Sequence, residues 1–107
     1  MLDIRKYIDT LLATKKVLVI SKSYCPYCHK AKAALESFNF LPGALEWIEI
    51  DGRDDMAAIQ DYMAELSGGR TVPRVFINGE FLGGGDDTAA AKADGSLEKK
   101  LAEVGAI

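Results

Sequence analysis

The chain has 107 residues, 49% hydrophobic and 27% charged, which suits one compact domain, residues 1–107, with a sizeable core. A net charge of −3 argues against general nucleic-acid binding, and no apolar run approaches the roughly 20 residues of a membrane span. Two cysteines are too few for a secreted disulfide scaffold, and the opening Met1-Leu2-Asp3-Ile4-Arg5-Lys6 lacks the apolar core of a signal peptide, so the expected setting is reducing and cytoplasmic.

Ile4, Tyr7, Ile8, Leu11 and Leu12 recur at helical spacing and predict an amphipathic helix over Asp3–Thr14. Val17-Leu18-Val19-Ile20 is a short continuous apolar run and reads as a strand buried on both faces, ending at Ser21. Ala31, Ala34, Leu35 and Phe38, spaced i, i+3, i+4, i+7, mark one face of a second helix that reaches about Phe38. Leu41-Pro42-Gly43 is turn chemistry, and Leu45–Ile50 is rich in strand formers. Strand, helix and strand at this length imply a parallel pair with a right-handed crossover. Asp54 and Asp55 are candidate caps for a helix marked by Ile59, Tyr62, Met63 and Leu66 and stopped by Gly68-Gly69. Asn78-Gly79 between Arg74–Ile77 and Glu80–Leu82 is a strong hairpin signal. Gly83-Gly84-Gly85 breaks the second hairpin strand, and Asp86, Asp87 or Thr88 would cap a last helical region, itself interrupted at Gly95-Ser96. The resulting order, α-β-α-β-α-β-β-α, describes a four-stranded mixed sheet with helices on both faces.

Both cysteines fall where the first strand hands over to the second helix, in Ser23-Tyr24-Cys25-Pro26-Tyr27-Cys28-His29. A C-x-x-C at such a junction is a thioredoxin-like redox signal. The reason is physical: a helix N-terminus presents unpaired N–H groups and the positive end of the macrodipole, and both favour a thiolate. Pro26 suits a first helical position, where its missing N–H costs nothing. Cys25 is then expected at the exposed helix mouth as the attacker, with Cys28 one turn on and nearer the interior as the resolver. Five lysines and no acid lie between Thr10 and Leu35, whereas Glu36–Glu65 holds eight acids against Arg53 alone. This pattern describes either two solvated faces or an electropositive neighbourhood for the thiolate that draws an anionic partner.

Three motifs in order, Cys25-Pro26-Tyr27-Cys28, Thr71-Val72-Pro73 and Gly83-Gly84-Gly85-Asp86-Asp87, resemble those of the glutaredoxin family, and the resemblance covers nearly the whole chain. Singly, the second reads as a strand lead-in and the third as a strand stop with a helix cap; their joint occurrence around a C-x-x-C carries the likeness. Cysteine at both ends of the first motif is similar to the dithiol class. Thioredoxin itself is a poorer match, because no Trp precedes Cys25 and the inner pair is Pro-Tyr. The resemblance implies a thioredoxin-like α/β fold and a cytoplasmic, monomeric glutathione-dependent thiol–disulfide oxidoreductase. Its partners would be glutathione, as co-substrate, and glutathionylated or disulfide-containing proteins, with no metal, nucleic acid or membrane. It further implies that the Thr71-Val72-Pro73 backbone pairs with the cysteinyl part of glutathione, with Pro73 after a cis bond opposite Cys25. Gly84, Asp86 and Asp87 would take the γ-glutamyl end, Lys22 and Gln60 the glycyl carboxylate, and Tyr27 would flank the tripeptide. Gly85, where family members often carry a side chain, and His29 depart from the pattern.

Three other readings compete. Cys25–His29 also fits the C-x-x-C-H of haem attachment, but a Pro-led helix start makes a poor haem pocket. Zinc would have three ligands where closed sites want four. An iron–sulfur cluster shared by two protomers, acting as carrier or sensor, is the stronger alternative by family analogy.

Overall fold

The apolar run after the first helix becomes β1 (Val17–Ser21), the strand on which the molecule is built. The computed structural model describes residues 2–107. Parallel to β1 on one side lies β2 (Leu45–Glu49), in the register Val17 to Leu45 through Ser21 to Glu49. Antiparallel on the other side lies β3 (Arg74–Ile77), which pairs in turn with β4 (Glu80–Gly83). The sheet order is therefore β2-β1-β3-β4, the expected four-stranded mixed sheet. Asn78 and Gly79 make the hairpin turn with φ of 52° and 82°, the left-handed pair that a two-residue connection requires.

Alternate residues of β1 serve opposite faces. Val17 and Val19 join Ala31, Leu35, Val75, Leu97 and Leu101 on one side. Leu18 and Ile20 join Ile8, Ile59, Met63 and Phe76 on the other. The first core lies under α2 (Pro26–Glu36), α4 (Gly85–Ala93) and α5 (Ser96–Glu103), and the second under α1 (Ile4–Thr14) and α3 (Met56–Ser67). Covering both faces is what makes the run continuously apolar instead of alternating.

Three helix ends differ from the sequence expectation. α2 stops at Glu36, two residues short of Phe38, because the Ser37 hydroxyl donates to the Ala34 carbonyl at 2.7 Å and closes the last turn. Asp55 is the N-cap of α3, but its carboxylate is turned to Arg53, which donates to it at 2.8 and 3.0 Å. The last helical region is parted at Gly95, in the left-handed conformation, as expected, but the cap of its first helix is Gly84 and not Asp86, Asp87 or Thr88. Asp86, Asp87 and Thr88 all lie inside α4; Asp87 reaches back from the third position so that its Oδ2 accepts the Gly84 N–H at 3.1 Å.

Candidate active site

Beyond Ser21 the chain makes a tight turn, Lys22–Cys25, closed by the Cys25 N–H on the Lys22 carbonyl at 3.2 Å. The turn ends in Cys25 as the N-cap of α2, in extended conformation, and Pro26 opens the helix. Cys25 Sγ accepts the Cys28 backbone N–H at 3.3 Å, one of the donors that a helix start leaves unpaired. In the thiol form the same sulfur faces the Val72 carbonyl oxygen at 3.6 Å. Ionisation removes that donor and leaves the N–H contact, so a negative sulfur keeps its support.

The two cysteines differ as the sequence suggested. Cys25 is partly exposed and Cys28 is buried, both as free thiols. Burial pushes the Cys28 thiol up to about 11, against which the Ser21 hydroxyl and the Lys22 backbone favour its thiolate. Burial thus disfavours the Cys28 thiolate, and the partly exposed Cys25 is the sulfur that a partner can reach.

Beside Cys25 lies a groove of about 400 Å³, lined by Lys22, Tyr24, Pro26, Gln60, Arg70, Thr71 and Val72. The peptide bond between Val72 and Pro73 is cis. Pro73 is buried and does not line the groove, and Val72 packs its side chain on the second core. Thr71 is fixed by Arg74, whose guanidinium donates to the Thr71 carbonyl at 2.8 Å and to its hydroxyl at 3.1 Å. Gln60 donates from Nε2 to the Arg70 carbonyl at 2.9 Å, and Arg70 pairs with Asp61 at 3.0 Å.

Tyr27, Gly84, Asp86 and Asp87 lie apart from that groove, where the first turn of α4 meets the first turn of α2. Gly84 connects the two regions, since a Cβ there would come 3.6 Å from the Pro73 carbonyl. At Gly85 a Cβ would fall 2.3 Å from the Tyr27 carbonyl oxygen, so glycine is what lets the two helices meet. Neither acid is idle: Asp86 pairs with Lys30 at 2.6 Å, and Asp87 caps α4.

Sequence reasoning passed over Tyr24 and Arg70, although they adjoin Cys25 and Thr71 and now line the groove. The cation beside the Thr-Val-Pro motif was the signal available for Arg70. Nothing local marked Asp51, whose carboxylate accepts the Ser23 N–H at 2.8 Å and the Ser23 hydroxyl at 2.5 Å across 28 residues of chain.

Residues 17–82 match the glutaredoxin family. The chain is 45% identical over 102 residues to glutaredoxin-1 of Rhizophagus irregularis, which covers 95% of this chain and 98% of that one. To glutaredoxin-1 of Oryctolagus cuniculus it is 39% identical over 103 residues, covering 96% and 97%. Among solved structures, oxidized glutaredoxin 2 from Chlamydomonas reinhardtii superposes with a TM-score of 0.90 at 52% identity, over 97% of this chain and 95% of that one. A buckwheat glutaredoxin–glutathione complex gives 0.87 at 35% identity, over 97% and 92%. A likeness that runs the length of the chain joins a partly exposed cysteine at a helix mouth and a buried one a turn behind it, and on both grounds this chain belongs to the glutaredoxin family, as a thiol–disulfide oxidoreductase of its dithiol class.

Proposed function

We propose that the chain reduces protein–glutathione mixed disulfides and protein disulfides at the expense of glutathione. The observation that carries this reading is the groove itself. It runs from the Cys25 sulfur along the Thr71-Val72 backbone to Lys22, Gln60 and Arg70. A tripeptide laid along it as an added strand would meet main chain at its centre and cations at one carboxylate end. The buckwheat relative is a glutathione complex on the same fold, which supports the same ligand here.

In the monothiol route the Cys25 thiolate attacks the glutathione sulfur of a mixed disulfide. That sulfur–sulfur bond breaks, the protein leaves as its thiolate and takes a proton, and Cys25 carries glutathione. A second glutathione thiolate attacks the carried sulfur, releasing glutathione disulfide and the Cys25 thiolate. With a protein disulfide, Cys25 forms the mixed disulfide first. Cys28 then loses its proton and closes on the Cys25 sulfur, which expels the substrate's sulfur as a thiolate that takes a proton; two glutathiones reopen the pair and leave as glutathione disulfide. Burial of Cys28 disfavours the thiolate that closing needs, which favours attack by glutathione on the mixed disulfide. The reading extends to an enzyme of one domain, supported by helices from both ends of the chain packing on one sheet, and, by the family resemblance alone, to a monomeric and cytoplasmic one.

The test is turnover of a glutathionylated peptide by the parent chain, Cys25→Ser and Cys28→Ser. Cys25→Ser is expected to fall to the uncatalysed rate, while Cys28→Ser keeps turning over and loses only protein-disulfide reduction. Loss in both variants would replace the monothiol route with obligate dithiol chemistry. Parent activity that ignores glutathione would end the reading.

A further inference from the structure

His29 follows the second cysteine and is exposed, yet its side chain points back to the start of the turn that carries the first. Its Nε2 lies 2.7 Å from the Ser23 carbonyl oxygen. A ring nitrogen facing a carbonyl must be the protonated one, so Nε2–H donates. From the opposite side Asp51, just past β2, uses both carboxylate oxygens on the same residue, one for the Ser23 N–H at 2.8 Å and one for its hydroxyl at 2.5 Å. The carboxyl of Asp51 is held below its usual range chiefly by the Ser23 hydroxyl and then by the Ser23 amide, so the ionised form is the one that grips.

All three polar groups of Ser23 are thus taken, by two different elements. Ser23 is exposed, and water could satisfy every one of them. What water cannot supply is direction. Lys22 and Tyr24, on either side of Ser23, both line the groove, and Cys25 is the next residue along. A turn pinned at its second residue fixes all three neighbours relative to α2 and β2.

We propose that His29 and Asp51 are positioning residues that clamp Ser23, and through it set the Cys25 sulfur and the Lys22–Tyr24 wall of the groove. The proposal rests on thiol–disulfide chemistry at Cys25 and not on glutathione as the co-substrate.

The test therefore begins with a reagent that needs no groove. Alkylation of Cys25 by iodoacetamide at neutral pH is measured in the Cys28→Ser background, with thermal melting of each variant alongside. His29→Ala and Asp51→Ala are each expected to slow alkylation roughly threefold to tenfold, because the sulfur loses its fixed approach to the Cys28 N–H. His29→Gln, which restores an N–H where Nε2–H stood, is expected to recover most of the rate. His29→Asn carries the same amide but is too short to reach the Ser23 carbonyl, and is expected to stay slow. Asp51→Asn retains one acceptor and should fall between Asp51→Ala and the parent. With a glutathionylated peptide the same variants should raise KM as well as lower kcat, since the groove wall moves with the sulfur. Parent-like alkylation in both alanine variants would overturn the clamp. So would equal rates for His29→Gln and His29→Asn, a comparison that still decides if an alanine variant does not fold. Slowed alkylation together with turnover that ignores glutathione would keep the clamp and remove the glutathione reading instead.

Discussion

Ser21 shows how one buried hydroxyl divides the two routes. It is buried at the end of β1, where its hydroxyl lies 3.4 Å from the Lys22 carbonyl oxygen and favours the neighbouring Cys28 thiolate against the cost of burial. Ser21→Ala removes that donor, raises the Cys28 thiol further and leaves the sulfur of Cys25 with its own N–H partner untouched. Reduction of a protein disulfide is expected to slow about threefold to tenfold, while turnover of a glutathionylated peptide stays at the parent level. Steady-state rates on the two substrates check this, and an equal loss on both would place the serine in the service of Cys25. The pH dependence has a definite sign. A thiol near 11 gains about tenfold in thiolate for each pH unit between 7 and 9, so closure of Cys28 on Cys25, followed by quenched-flow trapping of the mixed disulfide, is expected to accelerate in that proportion.

Between elements, the narrowest constraint is the meeting of α2 and α4. Gly85→Ala puts a Cβ 2.3 Å from the Tyr27 carbonyl oxygen and 3.0 Å from its carbon, and backbone of a capped helix start cannot step aside. The expected cost is about 1–3 kcal/mol, seen as a lower denaturant midpoint at unchanged slope. Gly84→Ala is the control, because its Cβ would sit in ordinary contact with the Pro73 carbonyl at a φ of −94°, and its midpoint should barely move. The same junction qualifies the Asp87 of the resemblance. Its carboxylate already caps the Gly84 N–H, so replacing it by alanine weakens α4 by about 1 kcal/mol whatever it does to a ligand. Lys22 is free of that complication and is the better probe of the groove.

Across the whole molecule, charge and long-range proximity decide what a linear reading could reach. The chain carries −3, yet its groove is walled by Lys22 and Arg70. Lys22→Glu is expected to raise KM for a glutathionylated peptide about tenfold, and added salt should lower that KM by screening the new repulsion, whereas salt raises the KM of the parent. Opposite salt slopes in the two proteins are the check; parallel slopes would take Lys22 out of the groove's electrostatics. The strands, the hairpin and the C-x-x-C were legible because each has a local signature: period two or a continuous apolar run, Asn-Gly, Pro at a helix start. Lys22, Gln60 and Thr71 were legible through the family resemblance, and the structure sets them on one groove. Asp51 was not legible, since nothing in Ile50-Asp51-Gly52 announces that β2 ends beside the turn after β1. Nor was the engagement of Asp86 with Lys30, which depends on how closely glycine at 85 lets two helices approach.

Val72 offers the sulfur its main chain and gives its side chain to the core under α1 and α3. Selection acting on this position therefore sees a packing requirement, although what faces the Cys25 sulfur is a carbonyl. A hydrophobe of similar volume and branching could replace valine without altering what the ligand meets, and the chemistry would pass to descendants through the fit of the interior. The groove is in this sense inherited from below, and the lineage is free to vary at residue 72 as far as the core under α1 and α3 allows.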